Sequence, residues 1–381
     1  MSTIPITISN ARARRIILYA QGFTRSNPFG SGPNAVIKAV NQLGYVQLDT
    51  ISVVQRAHHH ILWSRIPSYQ PHWLEKAQYR SRKIFEYWAH AAAYLPIQDY
   101  RYSIHVMNAF REKKDRWPKT SSTDMRKVLK RIREEGPLMS RHFESDHKGG
   151  TWWDWKPAKW ALQRLFLEGQ LMVSHREGFQ RVYDLPERIL PSDVDTSPPT
   201  QKEYYAYMIS TTLRAQGIAA RNEIMHLRNT EAKTFNLVLK ELQEEKIILP
   251  VNVDGEKNYF TLPEYLYRNI RLPERMFILS PFDNLIIWRQ RLKDIFGFDY
   301  TLECYLPAEK RTYGYFCLPI LYQDNFIGRV DLKAERKSQN LQIKNEFWKD
   351  GKSKLKSNPL YAEALSSFAG FNQCIKIEKQ G

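Results

Sequence analysis

Apolar positions along this chain of 381 residues recur at helical spacing in some windows and alternate in others, with glycines at many of the joins. Residues 123–135 place Met125, Val128, Leu129 and Ile132 at i, i+3, i+4 and i+7, opposite Lys127, Lys130, Arg131 and Arg133. That is a single apolar helical face, which Ser122 or Thr123 can cap and Gly136-Pro137 stops. Ser140 can cap a short second helix, and Lys156-Pro157 opens a third whose face carries Trp160, Leu165 and Phe166 before Gly169 ends it. Residues 171–173 and 181–183 then read as two short strands around a turn at Glu177-Gly178, followed by Asp184-Leu185-Pro186-Glu187. Three helices and a β-hairpin make a winged helix.

The pattern recurs after the Pro-rich linker 191–199. A helix from about Glu203 stops at Gly217, a short one lies near Ile224, and a third over 233–244 carries Phe235, Val238, Leu239 and Leu242. Segments 247–253 and 258–261 flank a turn at Asp254-Gly255, and the repeat closes with Thr261-Leu262-Pro263-Glu264. Against Asp184-Leu185-Pro186-Glu187 this is an offset of 77 residues, about one winged-helix domain, as an internal duplication requires. A weaker third copy lies at the N-terminus, with helices over 11–21 and 34–43 stopped by Gly22 and Gly44 and a strand directly after. Residues 275–340 change to alternating apolar segments around 298–305, 313–318 and 326–330, and residues 359–368 read as a closing helix. The expected class is α+β, with tandem winged-helix (helix-turn-helix) domains and a small C-terminal β-barrel-like domain. The expected boundaries are 1–118 for an N-terminal winged-helix-like domain, 119–190 and 200–270 for the second and third winged helices, and 275–381 for the β-domain.

Charge turns this architecture toward a polyanion. The 57 Lys and Arg exceed the 40 Asp and Glu, a net charge of +17. The excess is spread: residues 101–188 hold 19 against 12, and residues 333–358 hold 8 against 3. Nucleic acid is the first candidate partner, since an anionic membrane surface calls for a concentrated polybasic run or a basic amphipathic helix. The longest apolar stretches fall far short of the roughly 18 residues of a membrane span, and residues 1–10 lack the apolar core of a signal peptide. A cytoplasmic, nucleoid-associated protein without membrane contact is expected. Cys304, Cys317 and Cys374 form neither a disulfide framework nor a Cys-x-x-Cys zinc knuckle and are expected as reduced thiols. Phosphate-loop, dinucleotide and nucleophile-elbow motifs are missing, which argues against nucleotide hydrolysis, NAD chemistry and esterase chemistry.

Candidate chemistry concentrates near residue 47. In a strand over 45–49, alternation sends Val46 and Leu48 to one face and Gln47 and Asp49 to the other, the latter two with Cα atoms about 6.6–6.8 Å apart. The spacing by itself is a weak signal and more readily describes an edge strand whose polar face is wet or caps a neighbouring helix. Arg56, the run His58-His59-His60, Trp63 and Arg65 follow. Consecutive histidines cannot all face one metal, and contacts to phosphate or packing account for them more simply. No metal or other cofactor is expected. His90 reads as a satisfied buried imidazole. The cluster Trp152-Trp153-Asp154-Trp155 could stack on bases, but three tryptophans beside a capped helix more often fill a seam between domains.

The segments Leu43-Gly44-Tyr45-Val46-Gln47-Leu48-Asp49-Thr50-Ile51, Arg56-Ala57-His58-His59-His60, Leu62-Trp63-Ser64-Arg65 and Glu86-Tyr87-Trp88-Ala89-His90-Ala91 resemble the AlkZ/AlkX (YcaQ-type) winged-helix DNA glycosylases. The likeness continues through Leu279-Ser280-Pro281-Phe282-Asp283-Asn284 and Phe296-Gly297-Phe298-Asp299-Tyr300. It implies tandem winged helices plus a β-domain on a basic concave surface, and hydrolysis of the N-glycosidic bond of N7-alkylated purines in double-stranded DNA, including cross-links left by bifunctional alkylators. The family's motif is Gln-apolar-Gln in one branch and Gln-apolar-Asp in the AlkX branch, which Gln47-Leu48-Asp49 matches. The reading is a metal-independent, monofunctional and monomeric glycosylase with Asp49 and Gln47 catalytic. Arg56, His58, His59, Arg65, Lys310 and Arg311 are the candidate DNA contacts, the last two on a gripping hairpin that the resemblance implies. The alternative is a non-enzymatic winged-helix transcription regulator.

Overall fold

A computed structural model describes residues 4–112, 120–143 and 156–379, except 227, 229 and 256. The chain is mixed α+β and divides into two compact units, one of Met1–Gln70 with Met208–Gly381 and one of Pro71–Tyr207. The Trp152-Trp153-Asp154-Trp155 cluster lies outside the described residues, as does the expected boundary at 118/119.

In the second unit, helix Ser122–Glu135 is capped by Ser121, one residue before the expected cap, whose hydroxyl accepts the Asp124 N–H. It buries Val128 and Ile132, and Gly136 ends it in a positive-φ conformation. A 3-10 turn over Ser140–Phe143, helix Lys156–Leu167 and the antiparallel strands Met172–Glu177 and Gln180–Asp184 follow. Leu165 and Phe166 are buried, but Trp160 is 37% exposed and is not on the core face. Its expected place was a misphasing of one position on the helix, since Ala161 and Leu162 take the interior instead. Segments Ile84–Trp88 and Ala92–Pro96, buried along nearly their whole length and without alternation, form a hairpin that periodicity did not single out. It carries Glu86, 1% exposed, which accepts from Arg176 (2.8 Å) and from Arg181 (2.5 Å). Burial alone would raise the Glu86 pKa, and the two guanidinium groups outweigh it and hold the carboxyl below its ordinary range.

The first unit repeats this order with its own additions. Helices Arg221–Ile224 and Ala232–Glu244 precede strands Leu249–Val253 and Lys257–Thr261, joined through Asp254 and Gly255 at positive φ. Both hairpins are followed by a one-turn helix that starts at a proline, Pro186–Ile189 and Pro263–Leu266. An unforeseen strand, Ile6–Ile8, joins Leu249–Val253 in parallel, so that the sheet order is Ile6–Ile8, Leu249–Val253, Lys257–Thr261, Ile218–Ala219. Helix Asn10–Ala20 buries Ala13, Ile16, Ile17, Leu18 and Ala20 in a core shared with Val251, Leu285, Leu292 and Phe326. A second sheet curls into a half-barrel, in the order Met276–Ile278, Cys317–Tyr322, Asn325–Glu335, Asn340–Trp348, Lys376–Lys379. The segment expected as a strand over 298–305 is irregular instead. Its aromatics are used sideways: Phe298 stacks on Phe326 at 4.9 Å, and the Tyr300 hydroxyl donates to the Cys317 carbonyl. Helix Pro359–Phe371 covers the edge strand Met276–Ile278, and Trp63 stacks on its Phe371 at 4.5 Å.

A polar strut crosses this core. Arg65, 1% exposed, donates to both carboxylate oxygens of Asp283 at 2.7 and 2.9 Å, to the Gln21 carbonyl and side chain, and to the Ile61 carbonyl. All five of its N–H groups are thereby used. The expectation of Arg65 as a DNA contact is corrected: it faces the interior, with no donor left for phosphate. His58, 3% exposed, is likewise interior and not a surface contact.

Asp283→Ala leaves the Arg65 charge buried without its counter-ion and should cost about 3–5 kcal/mol in urea unfolding. Lys130→Ala, which opens only the exposed Lys130–Glu134 pair, should stay within about 1 kcal/mol.

Candidate active site

Helix Gly32–Leu43 ends at Gly44, whose φ of 74° places it in the left-handed region. A Cβ there would also lie 2.8 Å from the Thr211 methyl, so glycine answers both strain and crowding. The turn delivers the chain at once to strand Val46–Gln47. From below, the buried Asn284 side-chain amide donates to the Tyr45 carbonyl at 3.1 Å and reaches the Leu43 carbonyl at 3.4 Å. Val46 is fully buried and Leu48 is 6% exposed, which anchors the segment on its apolar side.

Gln47 is buried, 6% exposed. The strand is shorter than the alternation over 45–49 suggests, because Asp49 takes its own local backbone. Its Oδ1 accepts the Ile51 N–H at 2.7 Å and its carboxylate also accepts the Thr50 N–H, an Asx-type turn that ends extended pairing. Asp49 thus lies one residue past Leu48 in a loop, half-buried. Burial raises its pKa above the ordinary carboxylate range, and the two backbone N–H groups only partly offset this. Among the described residues no cation forms an ion pair with it. A negative charge held this way is unneutralised and available to a positive reacting centre.

The loop after Asp49 is tied down by distant elements. The Val53 carbonyl accepts the Ala334 N–H at 2.9 Å, the Ser52 carbonyl accepts from Arg336 at 3.1 Å, and the Gln55 N–H donates to the Asn372 side chain at 2.7 Å. Arg56, half-buried, precedes helix Ala57–Trp63. The three consecutive histidines on that helix have different partners, although the His58 and His59 rings lie 4.2 Å apart between centroids. His60 is fully buried, its Nε2 2.8 Å from the Ile278 carbonyl, which requires the proton on Nε2. His59 is half-buried, with its Nδ1 2.7 Å from the Tyr69 hydroxyl. Burial lowers the pKa of each to about 4, with Arg56 adding to the effect at His59. Both are neutral at pH 7, so His59 can meet a phosphate as a hydrogen-bonding group but not as a cation. Among the described residues no three His, Cys, Asp or Glu converge on a possible metal position.

Residues 301–316 bring a second loop near Asp49. The Glu303 carboxylate accepts the Tyr313 and Gly314 N–H groups at 2.8 and 3.1 Å and closes the base of this loop. Within it Cys304 and Tyr305 lie near enough to Asp49 that, after burial, its charge helps to raise the pKa of both. Tyr305 is 74% exposed. The sequence offered no signal for either as a site residue, because proximity to Asp49 spans some 255 positions. Lys310 is exposed at the end of a 3-10 turn, Ala308–Lys310, and Arg311 donates to the Leu306 carbonyl and covers the Tyr315 ring at 4.9 Å. The element that carries them is an irregular loop with one 3-10 turn and not a two-stranded hairpin. Three backbone donors on a single carboxylate, those of Thr312, Tyr313 and Gly314 on Glu303, take the place of ladder pairing.

Asp49 is thus a half-buried carboxylate without an ion pair among the described residues, two positions after the buried Gln47 in a basic chain. Residues 40–369 match the AlkZ-like DNA glycosylase family, and the chain belongs to it. The match spans Gln47, Asp49 and every residue named above as supporting them except Asn372. The fold is similar to that of the DNA glycosylase AlkZ of Streptomyces sahachiroi, with a TM-score of 0.64 at 13% identity, over 98% of this chain and 100% of that one. A DNA-repair glycosylase is the enzyme class the family defines. Among the described residues no helix is long and apolar enough to cross a membrane.

Because the Asp49 pKa is raised in the folded protein, the native state holds its proton more tightly than the unfolded chain. Stability from this group is therefore present in acid and lost as pH rises through the raised value. Asp49→Asn should unfold at a higher temperature than wild type at pH 7, and the difference should close below the ordinary carboxylate pKa of about 3.9. Paired melting curves across that range check this.

Proposed function

We propose that this glycosylase hydrolyses the N-glycosidic bond of N7-alkylated purines in double-stranded DNA, including the unhooking of alkylation-derived interstrand cross-links. It does so without metal and without a covalent lysine intermediate. The observation that carries the reading is the Asp49 carboxylate, half-buried and held by two backbone N–H groups with no cationic partner among the described residues. Alkylation at N7 places a positive charge on the base, so the leaving group needs no general acid. Departure of the base with the C1′–N9 electron pair neutralises it and leaves an oxocarbenium-like sugar. Asp49 stabilises that cation and takes a proton from the attacking water, whose oxygen bonds to C1′, while Gln47 orients the water. The half-buried setting beside exposed Tyr305 suits an open site that a bulky cross-linked base can approach.

The architecture that goes with this reading is three winged-helix-like segments, 1–118, 119–190 and 200–270, and a β-domain over 275–381. The common order of helices, hairpin and proline-started turn in the second and third supports it. A monomer in the cytoplasm, associated with the nucleoid, gripping phosphates through Arg56, His59, Lys310 and Arg311 completes the proposal. Arg65 and His58 act within the core.

Base release from a duplex with one N7-methylguanine, measured in EDTA, tests the mechanism. Asp49→Asn should lose about 10²–10⁴-fold in single-turnover rate while binding DNA normally, and Gln47→Ala should lose less. The wild-type rate should fall as acid protonates Asp49, with a midpoint above that of an ordinary carboxylate. Release by Asp49→Asn at the wild-type rate, or loss of activity in EDTA, would sink the assignment. Tight sequence-selective binding of undamaged DNA without any release would favour a regulator.

A further inference from the structure

At the C-terminal end of helix Asn10–Ala20 lies a cavity of about 360 Å³ that shares no residue with the Asp49 site. Tyr19, Thr24, Arg25, Arg268, Asn269 and Arg271 line it. The Arg268 guanidinium sits over the Tyr19 ring at 4.7 Å, and that of Arg25 lies 6.0 Å from the same centroid. Stacking of this kind holds the planar group while leaving its N–H edge free to donate. Tyr19 is itself fixed by an edge contact with Tyr265, 6.0 Å between centroids.

The segment that bears two of the arginines is built into place. Arg12 Nη2 lies 2.7 Å from the carbonyls of both Leu266 and Arg268 and 3.3 Å from that of Tyr265. Ile270, 5% exposed, anchors the chain between Arg268 and Arg271. Among the described residues, Arg25, Arg268 and Arg271 form no ion pair, and neither Glu264 nor Glu274 lines the cavity. The contrast with Arg65, Arg176, Arg181 and Arg291 is informative, since each of those is spent on a buried carboxylate. Three like charges around one hollow repel each other until an anion enters, and guanidinium forks match phosphate oxygens in pairs. Thr24 and Asn269 add neutral hydrogen-bonding groups to the wall.

We propose that this cavity is a phosphate site, separate from the catalytic residues, that grips the DNA backbone flanking the damaged base. The proposal rests on the reading of the chain as an enzyme that acts on DNA. Its test uses undamaged duplex, so that it does not depend on base release. Anisotropy titrations of the full-length protein between about 50 and 200 mM salt should show Arg268→Ala/Arg271→Ala binding at least about tenfold more weakly. Its log–log salt slope should be shallower by about 0.9 for each phosphate that the variant no longer neutralises. Both side chains are exposed, and an unchanged melting temperature controls for folding.

Unchanged affinity and slope would overturn the site. A free phosphate ligand is distinguished by adding inorganic phosphate: if it raises the melting temperature of wild type but not of the variant while duplex binding is equal in both, the DNA assignment fails. Wild type that binds duplex with the expected slope difference from the variant, yet releases no base, would count against the glycosidic reading and leave the phosphate site standing.

Discussion

The Arg65–Asp283 ion pair is the constraint on which the first unit depends. A guanidinium and a carboxylate with no solvent exposure are tolerable only when every remaining donor and acceptor is met, because the desolvation of each ion costs several kcal/mol. Gln21 and the Ile61 carbonyl meet the rest of Arg65, and the Leu285 N–H closes an Asx turn on Asp283. Three segments far apart in sequence therefore have one mutual arrangement that leaves no charge stranded. The next residue along, Asn284, reaches the carbonyls of Tyr45 and Leu43, so the same loop that holds the ion pair also supports the strand of Gln47. Stability and positioning of the site pass through two adjacent side chains.

Positive charge in this protein serves two ends that composition cannot separate. Arg65 and Arg291 are interior counter-ions, and Arg176 with Arg181 clamps Glu86 in the second unit. Their charge is cancelled locally and contributes little to the field outside. Arg25, Arg268 and Arg271 remain without carboxylate partners among the described residues, and such groups carry the long-range attraction for a polyanion. Within this net positive chain Asp49 is held by backbone N–H groups and forms no ion pair with a guanidinium among the described residues. A cation there would cancel the charge that a cationic transition state requires.

The histidine run shows how a compositional signal can mislead. Three imidazoles in a row suggest a metal or a pH-sensitive contact, yet helix geometry sends neighbouring side chains in different directions. His60 packs against Ile278 and Phe368, and His59 meets Tyr69. Burial keeps both neutral. The role of His60 is indirect: it seats helix Ala57–Trp63, which fixes the far end of the loop that begins at Asp49.

Local patterning determined much of this protein. Helical spacing with glycine stops located the helices now seen as Asn10–Ala20, Gly32–Leu43, Ser122–Glu135 and Ala232–Glu244 to within a residue or two. Turn residues located the hairpin at Asp254-Gly255, and the Leu-Pro-Glu echo marked the two like segments, because caps, turns and amphipathic faces are all decided within a few residues. Gln47 and Asp49 could be named as candidates for the same reason. What the chain could not disclose locally were relations between remote positions: Ile6–Ile8 beside Leu249–Val253, Cys304 and Tyr305 beside Asp49, and Arg65 matched to Asp283. An arginine on paper is as fit for phosphate as for a buried carboxylate. Only folding, by removing one from water and leaving another in it, assigns the role.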